Sequence, residues 1–240
     1  MPDSSIPLAS FTLTRYALRD GVRGFTRMGL DRSALAGVPG LTFRRLLGTG
    51  RGQDLSLGAD FLRWARFCVW SSREAFEAFE DGPLRRSERE RALETYTLLL
   101  RPTRAKGRWG GVLPFGELPP APEHAGPVAV LTRAAIRPTR LLDFWWAVPE
   151  SQRGLHGNPA LLASVGVGEV PLVHQATFSL WRDAAGVRAF AYGSGGHRSA
   201  IRQTRRRDWY GEELFARFVP LRSEGCWDGR DPLAGLLPSS

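Results

Sequence analysis

The sequence predicts an α+β protein: tandem ferredoxin-like β-α-β-β-α-β repeats packed as a dimeric-α/β-barrel-type fold within one chain. Three observations predict it. The first is an internal duplication. Leu13-Thr-Arg-Tyr-Ala-Leu-Arg19 is echoed by Leu131-Thr-Arg-Ala-Ala-Ile-Arg137, Gly48-Thr-Gly50 by Gly166-Val-Gly168, and Arg108-Trp-Gly-Gly111 by Cys226-Trp-Asp-Gly229, each 118 positions on. Phe67, Trp70 and Phe79 return as Phe178, Trp181 and Phe190 at a spacing of 111. The second is the order of hydrophobic periods, which switch between two and 3.6 residues in the same sequence in both copies. The third is a burial argument. A four-stranded sheet with helices on one face leaves its other apolar face bare, and two such faces are buried together when the sheets pack against each other, face to face.

The first copy spans 11–111. Phe11 to Ala17 alternates as a strand, and Val22, Phe25 and Gly29 recur at helical spacing. Pro39-Gly40 turns the chain into a second strand, Leu41 to Leu47. Phe61 to Trp70 is a third. Ser71-Ser-Arg-Glu74 reads as a capping box that starts a helix faced by Phe76 and Phe79. Gly82-Pro83 breaks that helix, Arg85 to Leu93 resumes it, and Thr95 to Leu100 is the last strand. Residues 112–127 carry five prolines in sixteen positions and read as a linker.

The second copy, 128–229, repeats the plan. Val128 to Ala134 is a strand, Pro138 suits a first helical turn, Leu141, Trp145 and Val148 line the buried side, and Pro149 ends the helix. Leu161 to Val165 and Pro171 to Trp181 are strands. Asp183 caps a helix in which Val187 and Phe190 face inward. After an interruption at Tyr192 to Gly196, His197 to Arg206 is helical and Leu214 to Leu221 closes the sheet. Residues 230–240 read as a tail.

With 42% apolar residues the chain builds a core. Its two cysteines, Cys68 and Cys226, form neither a C-x-x-C pair nor a disulfide framework, which fits a reducing compartment. Neither a signal peptide nor a membrane-length apolar run is legible, so a cytoplasmic protein, or one peripheral to the inner membrane, is expected. The net charge of +9 comes almost wholly from arginine. It suits an acidic partner or an anionic surface; without a reading motif, no nucleic acid is expected.

Candidate chemistry gathers between Gly166 and Arg206, which holds two of the four histidines. His197 follows Gly195-Gly196 and shares a helix side with Ala200, Ile201 and Thr204; by spacing alone it reads as a packed or helix-capping histidine, and the same arrangement can present Nε2 to a haem iron as its metal ligand. His174 lies on a strand face with Ala176, Phe178 and Leu180. It reads first as a core histidine, and otherwise as a second ligand or a distal hydrogen-bond donor with a catalytic role. His174, His197 and Glu169 together would make a non-haem iron set. Gly166-Val-Gly-Glu-Val-Pro leads into a strand and lacks the third glycine of a dinucleotide fingerprint, so it reads as a tight turn.

Leu131-Thr-Arg-Ala-Ala-Ile-Arg-Pro138, Gly166 to Trp181, Gly195-Gly-His-Arg-Ser-Ala-Ile-Arg202, Trp209 to Phe218 and Glu224-Gly-Cys-Trp-Asp-Gly229 resemble the spheroidene monooxygenase family, over about Phe11 to Ala234 and more tightly in the second copy. The resemblance implies a haem-dependent oxygenase that uses O2 and reduced ferredoxin to oxidise an acyclic carotenoid at C-2. It also implies an apolar channel, for which Phe178 and Leu180 in the barrel interior are the expected substrate-lining residues. Arg133 is the expected partner of the haem propionates. A non-catalytic carrier of haem or of another apolar ligand on the same barrel is the alternative.

Overall fold

A computed structural model describes residues 6–20, 33–51, 58–152, 157–170, 173–193 and 208–237. The strands are β1 (Leu8–Tyr16), β2 (Leu41–Gly50), β3 (Ala59–Trp70), β4 (Ala92–Gly107), β5 (Val128–Ile136), β6 (Leu161–Val170), β7 (His174–Trp181) and β8 (Tyr210–Gly225). They close into a barrel in the order β1-β3-β2-β6-β7-β5-β8-β4. Read around the wall, β4-β1-β3-β2 is followed by β6-β7-β5-β8, so each copy contributes one ferredoxin-like sheet. The sheets meet edge to edge along a short seam between β2 and β6 and a long one between β4 and β8. Closure leaves no unpaired edge.

The register corrects the alignment of the two copies. β1 maps onto β5, and β2 onto β6, at an offset of 120, because their ends and bulges coincide: the irregularity at Arg15/Tyr16 matches that at Ala135/Ile136. β3 maps onto β7 at 111 and β4 onto β8 at 118, as the tryptophan anchors predict. The Leu-Thr-Arg and Gly-x-Gly anchors at 118 are therefore two residues out of register. A shift of two keeps every side chain on its own face, so alternation alone does not expose it. In this register the pairs Gly48↔Gly168 and Arg101↔Val219 map onto themselves. A pseudo-twofold axis crosses the wall at both, and equivalent features lie at opposite ends of the barrel.

Each end is stopped by a tryptophan from the loop after a long strand. Trp109 (0% exposed) sits at one end and Trp227 (4%) at the other. The chain turns inward at Gly107 and Gly225, with φ of 100° and 89°. A Cβ at either would lie 2.0 Å from a carbonyl, that of Glu213 or Thr95, so only glycine fits. Between the plugs the interior is filled by side chains. Phe11 stacks on Phe178 with centroids 3.8 Å apart, and Phe67 lies 5.6 Å from Trp109.

Two segments expected to be peripheral belong to this core. Phe115 of the proline-rich linker is buried, 5.5 Å from Phe218. The expected tail also folds back: Leu233 is buried in the core, and the Asp231 carboxylate accepts from the Tyr96 hydroxyl and from Ser223 Oγ, both at 2.7 Å. Burial and the adjacent Asp231 push the Tyr96 hydroxyl pKa upward.

The helices are α1 (Arg73–Glu80), α2 (Pro83–Arg91), α3 (Leu141–Gln152) and α4 (Ala184–Gly193). The cap of α1 is Ser72 rather than Ser71. Its Oγ accepts from the Ala75 amide at 3.2 Å, which places Glu74 one position too early for a capping box. Asp183 caps α4 as expected, accepting from the Gly186 amide at 2.7 Å. A short 3-10 turn, Pro138–Arg140, precedes α3, and Pro149 lies inside that helix. A proline in the last turn removes one hydrogen bond without ending the element.

Candidate functional site

The two copies differ most on the outer sheet face, between strands and helices. In the first copy one row across the sheet reads Leu46–Arg66–Thr12–Thr97. The equivalent row in the second reads Gly166–Thr177–Thr132–Phe215. The first row is sealed. Arg66 donates to Glu88 of α2 at 3.0 Å, and Arg85, fully buried, bonds Glu80 at 2.9 Å, Glu88 at 2.6 Å and Thr97 Oγ1 at 2.7 Å. Burial pushes the Glu88 carboxyl up, but Arg66 and Arg85 outweigh it and hold its pKa at about 2.

In the second copy the leucine and the arginine are replaced by the smaller glycine and threonine. Thr132 is exposed where its counterpart Thr12 is buried. The row is flanked by two apolar clusters, Val128, Val130, Trp181 and Val187 on one side and Ile136, Phe144 and Trp209 on the other. Two buried polar atoms beside it, Ser164 Oγ and Trp209 Nε1, have no hydrogen-bond partner. This slot-like row has apolar flanks, small residues at Gly166 and Thr177 and two unpartnered polar atoms, a lining of the kind that suits a flat, largely apolar group.

A second polar site caps the barrel interior at the Trp109 end. Trp109 Nε1 donates to Glu169 at 2.7 Å, and Arg45 Nε lies 2.8 Å from the same carboxylate. Arg133, 3% exposed, pairs with Glu212 and, at 3.5 Å, with Glu169. Glu212 also accepts from the amides of Gly110 and Gly111 at 2.7 and 2.6 Å. Burial raises the Glu212 carboxyl pKa, while the two amides and Arg133 bring it below the ordinary range. Outside this cap, Gly107, Arg108, Asp208, Tyr210, Gly211, Glu212 and Glu213 line a surface cleft of about 460 Å³.

These placements decide several sequence expectations. His174 opens β7, half-buried, on the face of Ala176 and Phe178, so the strand separates it from the slot. Phe178 and Leu180 do face the interior, but both are fully buried against other side chains there. Arg133 pairs with Glu212 and Glu169 through its terminal nitrogens, while its buried Nε has no hydrogen-bond partner. Glu169 is taken up by Trp109, Arg45 and Arg133. Among the described residues no three His, Cys, Asp or Glu side chains converge as a metal site. His197 lies outside the described residues. The residues missed in the sequence are those of the slot, Ser164, Gly166, Thr177 and Thr132. Their signal was present as the loss of Leu46 and Arg66 between copies: the two-residue slip hid the first, while the second was legible at the spacing of 111.

The fold places the chain among the dimeric α/β barrels. Solved aldoxime dehydratases share it: one superposes with a TM-score of 0.63 at 8% identity over 95% of this chain and 85% of that one, another with 0.60 at 11% over 89% and 81%. No protein-family model matches the chain. Curated sequences do. It is 38% identical to the spheroidene monooxygenase of Rhodobacter capsulatus over 97% of this chain and 98% of that protein. It is 34% identical to that of Cereibacter sphaeroides (97% and 72%), and 38% to that of Rubrivivax gelatinosus (86% and 79%). The chain belongs to the spheroidene monooxygenase family and is an oxidoreductase.

Proposed function

We propose that this protein is a haem-dependent monooxygenase that oxidises an acyclic, spheroidene-like carotenoid at C-2, with O2 as oxygen source and reduced ferredoxin as electron donor. The observation that supports the reading is identity of 34–38% to proteins named spheroidene monooxygenase, over most of the chain. In the first turnover a C–H bond at C-2 becomes C–OH, and the second oxygen atom leaves as water with two electrons and two protons supplied. A second turnover at the same carbon gives a geminal diol, which loses water to a ketone.

Haem, when bound, supplies the activation of O2. The slot-like row on the second copy suits it in kind: Gly166 and Thr177 are small, the clusters around Trp181 and Phe144 are apolar, and Ser164 and Trp209 offer polar atoms without partners. His197, whose position lies outside the described residues, would hold the iron. Because the barrel interior is filled at Phe178, the carotenoid is assigned to the outer face as well, along the apolar clusters that border the slot.

The test is an absorption spectrum of protein expressed with haem supplied, taken before and after dithionite, followed by turnover of spheroidene with O2 and reduced ferredoxin. A Soret band with a carotenoid product gaining oxygen is the expected result. Absence of the band rejects haem, and a band with unaltered carotenoid identifies a carrier. His197→Ala removes the band if the ligand is assigned correctly.

A further inference from the structure

Helix α3 is apolar on two faces. Phe144 turns inward and packs edge-on against Trp209 at 6.0 Å and near Tyr210 at 6.0 Å. Leu142 and Trp146, one turn apart on the opposite side, are 78% and 86% exposed, and Trp146 is the most exposed large apolar side chain among the described residues. A helix that is apolar all round needs a second apolar neighbour.

We infer that the Leu142/Trp146 face of α3 is where the protein meets a lipid surface carrying anionic headgroups. The occupant follows from side-chain chemistry and charge. Tryptophan at high exposure beside leucine is the pairing that settles at the water–acyl boundary, with the ring at headgroup depth. The chain carries a net charge of +9, which draws it to an anionic surface. Arg137 and Arg140 stand at the start of the helix, each about half exposed. Their acidic partners, Asp208 at 3.2 Å and Asp143 at 3.8 Å, form exposed ion pairs that are weak in water, so headgroup phosphates can replace them. Among the described residues no helix is long and apolar enough to cross a membrane, which leaves this helix to lie in the interface. The proposal extends the carotenoid reading, since an apolar substrate delivered at α3 arrives beside the Phe144 cluster that borders the slot.

Co-sedimentation with vesicles of phosphatidylcholine and phosphatidylglycerol tests it without haem, substrate or turnover, so its outcome is independent of the catalytic reading. The wild-type chain is expected to bind, and Leu142→Ser with Trp146→Ser to lower the partition coefficient by roughly tenfold or more while leaving the melting temperature unchanged. Wild-type protein that stays in the supernatant overturns the proposal, as does a double variant that binds equally well. So does a double variant that converts a lipid-free dimer to a monomer in light scattering, because the face is then a contact with a second copy.

Discussion

Glu94 and Glu212 perform the same act at opposite ends of the barrel. Glu94, on β4, accepts from the amides of Asp228 and Gly229 at 2.9 and 2.8 Å, in the loop that follows β8. Glu212, on β8, accepts from Gly110 and Gly111 in the loop that follows β4. Each copy thus holds the tryptophan plug of the other. Asp228 occupies the left-handed position, φ 53°, taken by Gly110 with φ 63° in the other loop, and its carboxylate pairs with Arg63. Asp tolerates that region better than most residues.

The two clasps are equivalent in geometry and unequal in what they hold. Removing Glu212 leaves the buried Arg133 with Glu169 alone, at 3.5 Å, and two amides without their acceptor, whereas Glu94 accepts from two amides. Glu212→Ala is expected to lower unfolding free energy by about 3 kcal/mol, and Glu94→Ala by about 1 kcal/mol. Urea unfolding of both variants checks the order. Equal losses would show that Arg133 contributes nothing through Glu212.

The buried network of the first copy makes acid stability depend on Glu88. Its folded pKa is depressed to about 2, below that of an unfolded glutamate, so its contribution is complete above the unfolded value, near 4.3, and is lost as pH falls toward 2. Glu212, also depressed, acts in the same direction. Glu88→Gln is expected to destabilise the protein at neutral pH and to flatten the fall in stability below about pH 4.3. Urea midpoints measured across that window decide it; an unchanged slope would mean the carboxylate is not the titrating group.

How much of this was legible beforehand follows from which forces act locally. Strand alternation, the Gly82-Pro83 break and the Asp183 cap are set by neighbours in sequence, and they are where the sequence places them. Ser72 displaced Ser71 because both can cap and only tertiary packing chooses. The polar cap joins Arg45, Glu169, Arg133 and Glu212 from β2, β6, β5 and β8, contacts that no local pattern records. Leu233 and Phe115 were misjudged for the same reason: proline and terminal position suggest solvent, while the barrel mouths they fill exist only after closure.

The cysteines separate burial from reactivity. Burial pushes the Cys68 thiol pKa to about 12, with Arg66 only partly opposing. Cys226 is exposed. A thiol reagent near neutral pH is expected to label one site at once and the other only on unfolding, since the thiolate is the reacting form. Rapid labelling of both would show that the first-copy outer face opens readily.

The duplication itself supplies the sharpest test of the slot. The first copy shows which residues seal this face: Leu46 and Arg66, with Thr12 buried beneath the helix. Gly166→Leu restores the leucine, and Thr132→Trp fills the exposed end of the same row with a side chain that solvent already has room for. Both variants keep His197 itself, and Thr132→Trp removes no described hydrogen bond, so folding is expected to persist with a melting temperature within a few degrees of wild type for a change on the order of 1 kcal/mol. If haem lies in the slot, both variants lose most of the Soret absorbance per protein, and the double variant loses it entirely, because a ring cannot share space with an indole and an isobutyl group. Full Soret absorbance in the folded double variant would place haem elsewhere and leave the open row without a role in binding it.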